Sequence, residues 1–106
     1  RSTLFPYTTL FRSQFNYGKC AKEAQMSFSK FMDCVDIVQT EFNDMLSLEQ
    51  SHFFNKAKFN RSSFADTIRT DGALFYETPE MTGISKNTYT PIVVEVKTSS
   101  NIQVNY

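Results

Sequence analysis

Apolar residues in the first half of the chain recur in alternating steps of three and four. Ala21, Ala24, Phe28, Phe31, Val35, Val38, Phe42 and Met45 keep the a/d spacing of a heptad seam. A strand would alternate by two, so the spacing predicts one long amphipathic helix over residues 19–53. No Pro or Gly interrupts residues 19–71, and Lys22, Glu23, Gln25, Lys30, Gln39, Glu41, Glu49 and Gln50 are good helix formers. Asn16 is the candidate cap at its start. No internal repeat is read from this pattern.

Beyond His52 the heptad frame is lost. Phe54, Phe59, Phe64 and Ile68 are expected to form a small core at a corner. Ser63-Phe64-Ala65-Asp66 reads as a capping box opening a short second helix, closed by Asp71-Gly72. From Ala73 the period changes to two. Residues 73–77 and 89–97 read as strands, with Ile92, Val94 and Val96 alternating against Val93, Glu95 and Lys97. Residues 98–101 read as a turn, and Ile102, Val104 and Tyr106 as a third strand. The expected class is α+β: a long helix, a short second helix, then a small antiparallel β-sheet of about three strands, with residues 14–71 helical and 72–106 β.

Residues 1–13, RSTLFPYTTLFRS, resemble the in-frame translation of a high-throughput sequencing adapter, residue for residue. The resemblance implies that this segment is non-native. It also implies that the natural start, and any targeting signal, lie upstream of Gln14, so compartment is not read from the chain. Residues 14–106 are then expected to be one small domain or a fragment of a larger one.

Setting the adapter-like segment aside alters the charge. The whole chain carries 11 basic and 11 acidic residues, and dropping Arg1 and Arg12 leaves residues 14–106 mildly acidic. Such a balance, with no basic stripe, argues against nucleic-acid binding. No apolar run is long enough for a transmembrane helix. The composition, rich in Phe, is that of a folded domain.

Candidate chemistry is sparse. Cys20 and Cys34 would lie about 21 Å apart on one helix, too far for an internal disulfide. Both flank the heptad seam, where a bridge between antiparallel helices is conceivable, but ordinary thiols are the plainer reading. Glu49-Gln50-Ser51-His52 has the Glu-x-x-His spacing of di-metal helical bundles, which makes Glu49 and His52 weak metal candidates. One copy of that motif makes no site alone, and a solvated His is the default. Asp33 with Asp36, and Glu41 with Asp44, read as a solvated face. Asn60-Arg61-Ser62 is a glycosylation sequon that arises easily by chance. No catalytic or cofactor-binding residues are identified, and no cofactor is implied.

A helix of about 35 residues would be about 52 Å long, against a radius of gyration of about 13 Å for a compact domain of this size. Part of its stripe must therefore be covered by something else. The expected function is a structural or protein-interaction module that associates, with itself or with another helix, through the seam Phe28, Phe31, Val35, Val38, Phe42 and Met45. A homo-oligomer or a larger assembly is the expected state, and a helical bundle suits the bulky Phe residues better than a bare coiled coil. The alternative is a fragment of a larger enzyme or ligand-binding protein whose site residues lie upstream of Gln14. An enzyme contained in these residues alone is the less favoured reading.

Overall fold

In the computed structural model the predicted helices are absent, and the described residues form strands, corners and turns only. The structure describes residues 2, 3, 9, 10, 13–86, 92–97 and 101–106. The chain winds as a parallel β-solenoid whose register repeats every 22 residues, shortened to 21 where Thr9–Leu10 meets Lys30–Phe31 and where Leu74–Phe75 meets Glu95 and Val96. Lys19–Cys20, Glu41–Phe42, Ser63–Phe64 and Ser85–Lys86 stack in parallel on a first face. Ala24–Gln25, Leu46–Ser47 and Ile68–Arg69 form the second. Lys30–Phe31, His52–Phe53 and Leu74–Phe75 form the third. Val35–Asp36 and Ala57–Lys58 form the fourth, extended by a bridge from Lys58 to Glu80.

The physical unit is half a coil, eleven residues long. Three inward positions recur: Cys20, Phe31, Phe42, Phe53, Phe64 and Phe75 at the first; Ala24, Val35, Leu46, Ala57, Ile68 and Pro79 at the second; Met26, Ile37, Leu48, Phe59, Thr70 and Met81 at the third. All are buried except Thr70, which is half-buried. Successive units lie on opposite sides of the coil, so like residues stack two units apart. The rings of Phe31, Phe53 and Phe75 form one column, with centroids 4.7 and 4.4 Å apart and planes within 3°. Phe42 and Phe64 form the opposite column at 5.4 Å, with Cys20 and Lys86 in register at its two ends.

Each unit turns through one corner in the left-handed backbone region. Tyr17, Phe28, Gln39, Gln50, Arg61, Gly72 and Gly83 recur at intervals of eleven with φ between 52° and 72°. A side chain there costs about 1–2 kcal/mol, and the corner is held by bonds between coils: the N–H groups of Phe28, Gln39 and Gln50 donate to the carbonyls of Glu49, Asn60 and Asp71 at 2.9–3.0 Å. The next residue points inward, and at four corners it is a buried hydroxyl: Ser29, Thr40, Ser51 and Ser62. Ser62 Oγ accepts the Thr40 N–H at 3.2 Å and donates to the Ile37 carbonyl at 2.9 Å. Ser51 does the same with the Ser29 N–H and the Met26 carbonyl. At the second corner type, Asp33, Asp44, Asn55 and Asp66 each accept the N–H of the following residue at 2.7 Å.

These contacts replace the helical reading element by element. The capping box at Ser63 is a strand followed by an Asp66 corner. Gly72 sits at a solenoid corner rather than past a helix end. Asn16 caps no helix, and its Oδ1 accepts the Val38 N–H at 2.9 Å. The helical bundle and the coiled coil are likewise overturned, because residues 19–53 run through seven two-residue strands.

The C-terminus is not a separate antiparallel sheet. Val93–Lys97 adds in parallel to Leu74–Phe75, continuing the third face, and among the described residues only Asn101–Asn105 pairs antiparallel to it. Ile92, Val94 and Val96 are buried, whereas Glu95 and Lys97 are exposed, as two-residue alternation requires. Residues 89–91 of the predicted strand and 98–100 of the turn predicted at 98–101 lie outside the described residues, and Asn101 opens a strand instead. At the other end, Ser2–Thr3, Thr9–Leu10 and Ser13–Gln14 pair with the first full coil. The eleven-residue inward pattern, however, begins at Phe15 and Cys20, after the adapter-like segment.

Candidate functional site

With the core closed by stacked side chains, chemistry is left to the outer faces. Among the described residues the third face is the broadest, a six-stranded sheet, and its exterior carries the aromatic residues Phe54 and Tyr76 beside Met32. Two outward rows run along it. Lys30, His52, Leu74 and Glu95 form one by direct register. Met32, Phe54, Tyr76 and Lys97, each one residue past an inward Phe or Val, form the other. Met32 is 42% exposed, and Phe54, Tyr76, His52 and Leu74 are half-buried.

Geometry in the second row limits what the face can bind. The Phe54 and Tyr76 rings are stacked, 4.6 Å apart at 29°. Lys97 Nζ lies 5.4 Å from the centre of the Tyr76 ring, and His52 meets Phe54 at 5.9 Å and 69°. Tyr76 thus has Phe54 stacked on it and Lys97 over its ring, and Phe54 has Tyr76 on one face. The exposed charges beside these rings are Lys30 and Lys97 against the single carboxylate of Glu95, so the face joins apolar surface to a small excess of positive charge.

The expected interaction seam is dispersed by the fold. Phe31, Val35 and Phe42 are buried on three different faces; Val38 and Met45 are half-buried near corners, and Phe28 is 54% exposed at a left-handed corner. They line no common surface. Glu49 and His52 are also kept apart in use: the Glu49 carboxylate accepts from Ser47 Oγ at 3.1 Å and pairs with Arg69 at 3.3 Å, while His52 lies on the third face against Phe54. Among the described residues no group of three or more His, Cys, Asp and Glu is placed to hold a metal ion.

Both cysteines are free. Cys20 is inside the core, where burial pushes its thiol pKa above the usual 9.0. Cys34 is half-buried, with Sγ 3.8 Å from Asn55 Oδ1. In the sequon, Ser62 is fully buried with its hydroxyl engaged, and Asn60 Oδ1 accepts the Thr82 N–H at 2.9 Å, so the motif serves the corner.

Met32, Phe54, Tyr76 and Lys97 escape sequence reasoning because a heptad frame scatters them. The signal that finds them is the 22-residue spacing of Met32, Phe54 and Tyr76, one position past each inward Phe of the same face. No family model, curated protein or solved structure matches the chain. Among the described residues, no helix is long and apolar enough to cross a membrane.

Proposed function

We propose that the chain is a solenoid scaffold that binds a protein partner through the outer third face, taking a segment that carries acidic side chains among apolar ones. The observation that supports this reading is the Phe54–Tyr76 stack, extended by Met32 and closed by Lys97. A parallel solenoid keeps such a row straight and rigid, so an extended segment can follow it with little reorganisation on the scaffold side. Apolar contact supplies the affinity, and Lys30 and Lys97 at the two ends select the charge of the partner.

An array of random dodecapeptides balanced for hydropathy and sorted by net charge tests this. Peptides combining Asp or Glu with Leu, Phe or Met should be retained over basic peptides of equal hydropathy, and retention should weaken with salt. Phe54→Ser with Tyr76→Ser should abolish it, while Lys97→Ser should remove the charge preference. Equal retention of acidic and basic peptides, or binding that survives the double substitution, would exclude this face as the site.

A further inference from the structure

The third sheet ends on an edge whose chemistry is self-complementary. In the antiparallel pair formed by Val93–Lys97 and Asn101–Asn105, the Tyr106 N–H donates to the Ile92 carbonyl at 2.8 Å. Hydrogen-bonded pairs alternate along an antiparallel ladder, so Ile102 and Val104, like Tyr106, direct their backbone groups to the strand before. Asn101, Gln103 and Asn105 therefore turn their N–H and C=O groups to the outer edge. No described strand lies there, and the side chains of all three are exposed.

Exposed edges are ordinarily blunted by charge, proline or a bulge. This one has none of those residues: from Thr98 to Tyr106 there is no Lys, Arg, Asp, Glu or Pro. The strand is also nearly a palindrome, Asn-Ile-Gln-Val-Asn. A twofold axis perpendicular to the sheet through Gln103 sets Asn101 opposite Asn105, Gln103 opposite Gln103 and Ile102 opposite Val104. Every edge group then finds a partner. Amide side chains meet amides on the outer surface. On the core side Ile102, 45% exposed in one chain, meets a valine.

We infer that two copies of this chain associate edge to edge through Asn101–Asn105, in antiparallel register about Gln103, merging their third faces into one continuous sheet. The contact is isologous, so it closes at two copies. Because the axis is perpendicular to the sheet, the two Phe54–Tyr76 rows come to lie on the same surface, though the inference does not depend on what those rows bind.

The test is the solution mass of the full chain by sedimentation across a concentration series with reductant present, compared with Gln103→Pro and Gln103→Lys. Proline at 103 removes an outward N–H and leaves the bonds to Val93–Lys97 intact; lysine places like charges opposite each other at the axis. The wild type should show a reversible monomer–dimer equilibrium, and each variant should raise the dissociation constant by at least about tenfold, with unchanged far-ultraviolet dichroism. As a second route, Asn101→Cys with Asn105→Cys should form an intermolecular disulfide on oxidation, linking position 101 of one copy to 105 of the other. A wild type that stays monomeric throughout, a dimer indifferent to both variants, or species growing without limit would overturn the inference.

Discussion

The solenoid body and the C-terminal hairpin solve the same burial problem with opposite grammars. In the body, strands are two residues long, parallel and joined by corners, and each inward residue is stacked on its counterpart 22 residues away. In the hairpin, strands are five residues long and antiparallel, and burial alternates along one strand. The body distributes its stability among columns that run through all coils. The hairpin covers only the end of one column, and its last strand keeps Ile102 half in solvent. The body is therefore sensitive at any ring, whereas the hairpin is sensitive chiefly where it continues the ladder.

Removing the middle ring of the longest column should break that contrast most severely. Phe53 is fully buried between Phe31 and Phe75. Phe53→Ala deletes both stacks and leaves a cavity that parallel coils, tied at four faces, cannot close. The expected loss is about 3–5 kcal/mol by urea denaturation. Ile102→Ala, at the hairpin edge, should cost less than about 1 kcal/mol under dimer-free conditions. Comparable losses for the two would mean that the aromatic columns do not carry the body.

Why the hairpin's grammar is visible in the sequence and the body's is not comes down to the number eleven. Eleven residues are three turns of an α-helix at 3.67 residues per turn, so Phe31, Phe42, Phe53 and Phe64 would line one side of a helix as readily as they stack in a solenoid. Phe28, Val38 and Met45 fall between them by chance and complete a heptad. The discriminating feature is the pair two apart in each unit: Val35 with Ile37, Leu46 with Leu48, Ala57 with Phe59. On a helix such pairs point to nearly opposite sides, whereas on a strand both point inward, as burial shows. A second signal was the seven corner positions from Tyr17 to Gly83; five are not glycine, so composition conceals them. The outer row at Met32, Phe54 and Tyr76 becomes legible only once the 22-residue coil is known. In the hairpin no rival period competes, and Ile92, Val94 and Val96 declare the strand directly.

A smaller effect separates the corners from the columns. Ser62 is fully buried at a left-handed corner, accepting from Thr40 N–H and donating to the Ile37 carbonyl of the preceding coil. Ser62→Ala keeps the packing volume close to constant but strands that N–H inside the protein. A loss of about 1–3 kcal/mol is expected from the unsatisfied donor, and amide exchange at Thr40 should quicken. In the hairpin, by contrast, exposed Asn101→Ala should leave stability within about 0.5 kcal/mol. If Ser62→Ala is as mild, water must reach the corner and the clamp is not what fixes the coil spacing.

The smallest expected effect compares the two regions by titration. Burial raises the Cys20 thiol in the body above 9.0 and the Tyr106 hydroxyl in the hairpin above 10.0. In each case the folded chain holds its proton to higher pH than the unfolded chain does. The contribution to stability is thus complete below the unfolded value and declines as pH rises through the folded one. Two successive alkaline declines follow, the first starting near 9.0 from Cys20 and the second near 10.0 from Tyr106. Cys20→Ala should flatten the first without touching the second. Tyr106→Phe should flatten the second, while also losing the bond from its hydroxyl to the Pro79 carbonyl, which lowers stability only where that hydroxyl is still protonated. Thermal melts at closely spaced alkaline pH, set against melts near neutrality, would separate the change of slope from that neutral-pH loss. An unaltered slope in Cys20→Ala would place the thiol in contact with water, and the end of the Phe42–Phe64 column would then be open rather than sealed.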